Sequence, residues 1–75
     1  MSRLNNVSGR QAMRVAEQRG WRLDRVRGDH YIYKSANERR SLPVPDHREL
    51  AEGTLRAIIR SLGLTVDEFL AALKQ

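Results

Sequence analysis

Apolar residues recur along this chain with two different periods, and the switches between them mark its elements. Ala12, Val15 and Ala16 repeat at helical spacing and predict a helix over about 9–19. Ser8-Gly9-Arg10-Gln11 opens it as a capping box, in which the Ser8 hydroxyl and the Gln11 side chain satisfy each other's backbone donors. Val7 and Ala12 take the staple positions, and residues 1–6 read as a polar, frayed start. Arg10 and Arg14 lie one turn apart and point outward, and Gly20 ends the helix because glycine takes left-handed backbone cheaply. A period of two then takes over. Trp21–Arg25, His30–Lys34 and Arg39–Val44 read as three strands, joined by connections short enough for antiparallel hairpins. Pro43 has no amide proton to give, so the third strand belongs at an edge or breaks there. The second strand leaves its parity open, with Ile32 on one side and Tyr31 and Tyr33 on the other. Residues 45–50 read as a loop. Leu55, Ile58, Ile59 and Leu62 restore a helical stripe, from Glu52–Thr54 to Gly63. Thr65-Val66-Asp67-Glu68 is a second capping box with a Leu64–Phe69 staple, and a short helix runs on to about Leu73, carrying Leu70 and Leu73 inward.

This order predicts an α+β fold of two layers: a three-stranded antiparallel sheet with helices on one face, α-β-β-β-α plus a short C-terminal helix. That is the topology of double-stranded-RNA-binding domains, and topology does not set function. Residues 1–75 make one domain. A chain this short buries only about 60% of its unfolded surface, which leaves no room for a deep cofactor cavity, and no cofactor is expected. There are no cysteines, so neither a disulfide nor a thiolate site supports the fold. No signal-like segment or membrane-length apolar run stands out, so a cytoplasmic location is expected and no membrane partner.

Charge adds a direction. Residues 1–40 hold ten Lys/Arg against four Asp/Glu, a net of +6, whereas residues 41–75 hold four against five, a net of −1. Twelve of the fourteen basic residues are arginine, whose planar fork of donors suits phosphate oxygens. A basic front half points to a polyanion, with nucleic acid foremost, against the plainer reading of a solvated face.

The candidate chemistry centres on Gly28-Asp29-His30, a turn feeding a strand. Histidine titrates nearest neutrality, so His30 at the mouth of a strand in a basic protein is placed to move protons on a nucleic acid; the plainer alternative is one backbone hydrogen bond at a strand end. His47 is either a loop residue that caps or packs, or a group that touches RNA. The two histidines lack HxxH or HExxH spacing, so no metal site is expected. Arg25, Arg27 and Lys34 flank His30 in the hairpin and are the preferred RNA contacts, together with Gly28 and Asp29 of the turn. Tyr31 and Tyr33 suit packing or base stacking, and Gly53-Thr54 opens a helix whose free amides attract phosphate.

Over nearly its whole length the chain resembles the HicA family of bacterial toxins. Ser8-Gly9-Arg10, Gly20-Trp21, Gly28-Asp29-His30, Pro45-Asp46-His47 with Glu49-Leu50, and Gly53-Thr54-Leu55-Arg56-Ala57-Ile58-Ile59 followed by Gly63-Leu64-Thr65 carry the likeness, and their order and spacing together are specific. The resemblance implies a fold like a double-stranded-RNA-binding domain and an endoribonuclease that cleaves mRNA, with His30 as the essential catalytic residue. It also implies a HicB-type antitoxin that covers that histidine, with operator DNA met only through the antitoxin complex. Asp29 departs from the family, which most often has serine there. A carboxylate beside His30 either orients it and raises its pKa or repels the substrate phosphate. The alternative function is a non-catalytic RNA-binding module of the same topology. Such modules carry a lysine cluster at the start of the last helix, where this chain reads Ala51-Glu52-Gly53-Thr54. A third is an adaptor that binds one protein.

Overall fold

Both capping boxes form. The Gln11 N–H donates to Ser8 Oγ (3.1 Å) while the Ser8 N–H donates to Gln11 Oε1 (2.8 Å). Glu68 and Thr65 do the same, at 3.1 and 2.8 Å. Each box satisfies two backbone donors that a bare helix end leaves unpaired, so sequence alone fixes where these helices begin. The computed structural model describes residues 4–75. Its elements are α1 (Gly9–Gln18), β1 (Arg22–Arg27), β2 (His30–Lys34), β3 (Ser41–Pro45), α2 (Glu52–Ser61) and α3 (Val66–Ala72). The strands form one antiparallel sheet in the order β1-β2-β3. Helices α1 and α2 pack on β3, and α3 packs on α2, giving the expected α+β two-layer fold of the double-stranded-RNA-binding type.

Several boundaries differ from the sequence reading. Gly28 adopts φ +59°, so the first hairpin closes in the two residues Gly28-Asp29. Val26 and Arg27 therefore stay in the ladder, and β1 ends two residues later than expected. Trp21 precedes the strand and is 7% exposed in the core, with the Arg40 guanidinium 5.5 Å above its ring. The second connection absorbs Arg39 and Arg40: Asn37 Oδ1 accepts from the Arg39 N–H and Ser35 Oγ from the Arg40 N–H, so β3 starts at Ser41 and runs on through Pro45. The start of the chain is not uniformly frayed, because Leu4 is buried among core residues; residues 1–3 of that expected segment lie outside the described residues.

The core lies between the sheet and the helices, with Phe69, Leu55, Ile58, Val15 and Val44 fully enclosed. Tyr33 settles the parity of β2. It is 2% exposed on the helix side, where its hydroxyl donates to Glu17 Oε2 at 2.8 Å. Burial and that bond push the Tyr33 pKa up, so it remains a neutral donor. Ile32 lies on the opposite face, buried outside the main cluster, between its cross-strand partners Arg25 and Pro43.

A β-bulge between Leu23 and Arg25 corrects the simple alternation of the first strand. An unbroken period of two would put Arg22 and Arg25 on opposite faces. With Asp24 as the extra residue, Arg22, Arg25 and Arg27 instead pair with Lys34, Ile32 and His30 in turn, and all share their face. The helix-free face of the sheet thus carries His30, Lys34 and three arginines.

Candidate nucleic-acid cleavage site

His30 begins β2 at the corner where three segments meet. Its cross-strand partners are Arg27 on β1 and Pro45 on β3. Directly after Pro45 the chain is tied down from two sides. The Asp46 N–H donates to the Asp29 carbonyl (2.7 Å), and the Gly9 N–H at the start of α1 donates to the His47 carbonyl (2.9 Å). Gly9 is required here by close approach: a Cβ on it would lie 1.9 Å from the Pro45 carbonyl oxygen. Arg10, one residue on, closes a fork on Asp46 with 3.0 Å bonds from Nε and Nη2. The same Nη2 donates to the Tyr31 hydroxyl at 3.0 Å, and the guanidinium stands 5.0 Å from the Tyr31 ring centre.

This arrangement brings both histidines to one carboxylate. His47 Nε2 hydrogen-bonds Asp29 Oδ2 at 2.8 Å, and His30 Nδ1 lies 2.9 Å from Asp29 Oδ1. The His47 bond, above all, and the neighbouring His30 hold the Asp29 carboxyl below the usual carboxylate range, so it is ionised at neutral pH. The Arg10 fork does the same for Asp46 and raises the Arg10 pKa in return. An ionised carboxylate only accepts, so the histidine nitrogens facing Asp29 are the protonated ones. In neutral His30 the hydrogen then sits on Nδ1, leaving the Nε2 lone pair for chemistry. The Asp29 carboxylate thus lies against the Nδ1 side of the His30 ring.

The other expected site residues fall into two groups. Arg25 and Arg27 of β1 and Lys34 of β2 share the sheet face of His30. Arg25 is partly engaged by Asp24 and Arg22 by Glu38, whereas Arg27 and Lys34 have no ion-pair partner among the described residues. Gly28 contributes backbone geometry, and Asp29 has its carboxylate taken up by imidazoles. Tyr33 is a core residue and faces away from His30. Gly53 and Thr54 are exposed at the start of α2.

Sequence reasoning missed the tie of Arg10 to Asp46, the approach of His47 to Asp29 and the place of Arg22. The motif Pro45-Asp46-His47 was visible, but nothing local says that it meets a turn eighteen residues away. Among the described residues no three His, Cys, Asp or Glu side chains are grouped so as to hold a metal ion, and no helix is long and apolar enough to cross a membrane.

No curated protein matches the chain. A family model described as the HicA toxin of bacterial toxin-antitoxin matches residues 9–64, a span that runs from the clamp glycine Gly9 through the His30 corner and α2 to Leu64. The chain therefore belongs to the HicA toxin family, and is the toxin of a toxin–antitoxin pair.

Proposed function

We propose that this protein is an endoribonuclease that cleaves mRNA through acid–base chemistry at His30, so blocking translation. The observation that carries this reading is the corner itself. An imidazole whose Nδ1 lies 2.9 Å from the ionised Asp29 carboxylate stands on an open, arginine-lined sheet face that a phosphate backbone can approach. His30 Nε2 takes the proton of a ribose 2′-OH. The 2′ oxygen then forms a bond to the adjacent phosphorus, the bond from phosphorus to the 5′ oxygen breaks, and that oxygen takes a proton from solvent. The products are a 2′,3′-cyclic phosphate and a 5′-hydroxyl end. Protein, RNA and solvent water supply every group in this sequence, so cleavage should persist in EDTA. Arg27, Lys34 and Arg25 neutralise the phosphates on either side, and Gly28 lets the strand approach through its tight turn.

Positioned acid–base catalysis contributes about 10²–10⁴ in rate. His30→Ala should therefore reduce cleavage of single-stranded RNA by that factor, relieve growth arrest in bacteria expressing the chain alone, and leave the circular dichroism of the fold unchanged. Undiminished cleavage by His30→Ala would sink the reading. RNA binding without cleavage in the parent would leave the non-catalytic RNA-binding module instead.

The partner in this reading is a HicB-type antitoxin, acting with the toxin in the cytoplasm, and operator DNA is met only through their complex. A basic sheet face calls for an acidic contact surface, with roughly 1,200–2,000 Å² buried in total. Amides of residues 28–34 should exchange more slowly in the complex. Protection confined to the helices, with His30 open, would count against occlusion.

A further inference from the structure

We infer that His47 is a positioning residue for the reaction: by donating from Nε2 to Asp29 it locks that carboxylate against Nδ1 of His30, and so fixes the tautomer and direction of the reacting imidazole. The inference rests on the reading of His30 as the general base and goes beyond it by assigning the second histidine.

The geometry of Asp29 sets the need. It occupies a two-residue turn, its side chain is 57% exposed, and it is the neighbour of His30 in sequence. A carboxylate so placed has two rotatable bonds and water on most sides. One contact to an adjacent side chain leaves it free to turn into solvent. A second donor from across the fold removes that freedom. His47 Nε2 supplies it, at 2.8 Å on Oδ2, and leaves Oδ1 2.9 Å from His30 Nδ1.

The alternative is that the His47 ring merely ties down the loop. The loop is already tied by contacts in which that ring takes no part. Gly9 N–H holds the His47 carbonyl, Asp46 N–H holds the Asp29 carbonyl, and the Arg10 fork holds the Asp46 carboxylate. The ring itself is 52% exposed and is not part of the core cluster. Three anchors thus place a half-exposed imidazole whose one polar contact among the described residues is the carboxylate facing His30. Anchoring upstream and exposure at the tip are what a fixed orienting group requires.

The experiment compares His47→Ala with His47→Gln, in which the amide Nε2 remains a donor at similar reach of Asp29. Two measurements are made on each, with the parent and His30→Ala alongside: steady-state cleavage of a single-stranded RNA near neutral pH, and imidazole nitrogen NMR of His30 without RNA. A misplacement of about 1 Å in a reacting group costs on the order of 100-fold in rate. His47→Ala should lower kcat by about that factor with KM little changed, and should shift neutral His30 from the Nδ1–H form towards a mixture of tautomers. His47→Gln should recover most of both. Parental kcat and tautomer in His47→Ala would overturn the inference. So would equal losses in kcat for the two variants with the tautomer unchanged, which would mean that the ring acts on RNA directly. If His47→Ala loses its fold, His47→Gln decides through the same two measurements. Full cleavage by His30→Ala would mark failure of the underlying reading, and the tautomer of His30 would still report whether His47 sets it.

Discussion

The His30 corner and the outer strand β1 adjoin each other on one sheet, yet they are held in opposite ways. At the corner, residues 45–47 are gripped by the Gly9 N–H, the Arg10 fork and the Asp29 turn, with backbone passing close to backbone. Along β1 every residue is exposed, and Leu23 and Val26 remain 46% and 49% exposed although they lie on the helix side of the sheet. The strand pairs with β2 alone, and the helices pack over β3 at the other edge. Its free edge is blunted by a bulge and by Arg22, Arg25 and Arg27, devices that discourage pairing with a stray strand. The contrast suits the two tasks proposed for these regions. Proton transfer needs atoms fixed to a fraction of an ångström, whereas gripping a polyanion needs charge density and tolerates motion.

The largest test of this contrast is Gly9→Ala. The added Cβ would meet the Pro45 carbonyl at 1.9 Å, backbone against backbone, so α1 and the loop must move apart. Overpacking of this kind costs roughly 3 kcal/mol, read as a lower midpoint in urea unfolding, and cleavage should fall with it. A variant as stable as the parent would show that the corner is not close-packed.

Binding gives the next effect, on the other region. RNA affinity should fall with salt, and replacing Arg27 and Lys34 with alanine should flatten the log–log slope by roughly 0.7 for each phosphate of single-stranded RNA left without its cation. Arg25, already engaged by Asp24, should contribute less when replaced alone. An unchanged slope in the Arg27, Lys34 double variant would move the footprint to another face, with Arg56 and Arg60 the next to test.

Acid should unfold the corner before it affects β1. The carboxyls of Asp29, Asp46 and Glu68 all lie below their ordinary values, held down chiefly by His47, by Arg10 and by the Thr65 backbone respectively. Folding thus favours their ionised forms. The stability they supply is fully present above the unfolded values, about pH 4, and drains away as pH falls through the lower native ones. Melting temperature should hold level near neutrality and drop below about pH 4. Asp46→Asn should make that drop shallower, and an equal drop in the variant would remove Asp46 from the account.

The smallest effect belongs to the overhang. Leu23→Thr and Val26→Thr give up little buried area and place a β-branched residue in the strand, so each should change stability by less than about 0.5 kcal/mol. A larger loss would mean that the outer strand is packed more firmly than its exposure indicates.

Much of this molecule is written locally. The caps at Ser8 and Thr65, the stripe from Leu55 to Leu62, the turn at Gly28 and the strand His30–Lys34 each rest on residues within a few positions of one another. Their periodicity and hydrogen-bonding chemistry therefore determine them before any long-range contact forms. The sequence also singled out His30 and the arginines around it. Three matters were decided by the tertiary structure. The bulge at Asp24 turned Arg22 to the face of Arg25 and Arg27, since a one-residue slip in a ladder reverses every side chain before it. The clamp of Gly9 and Arg10 on residues 45–47 joins segments 36 residues apart along the chain. The sharing of Asp29 by His30 and His47 joins a turn to a loop on the far side of β3. No local pattern specifies which side chains meet when such loops close, because that depends on how strands and helices stack, and this is why the approach of His47 to Asp29 became visible only in the folded chain.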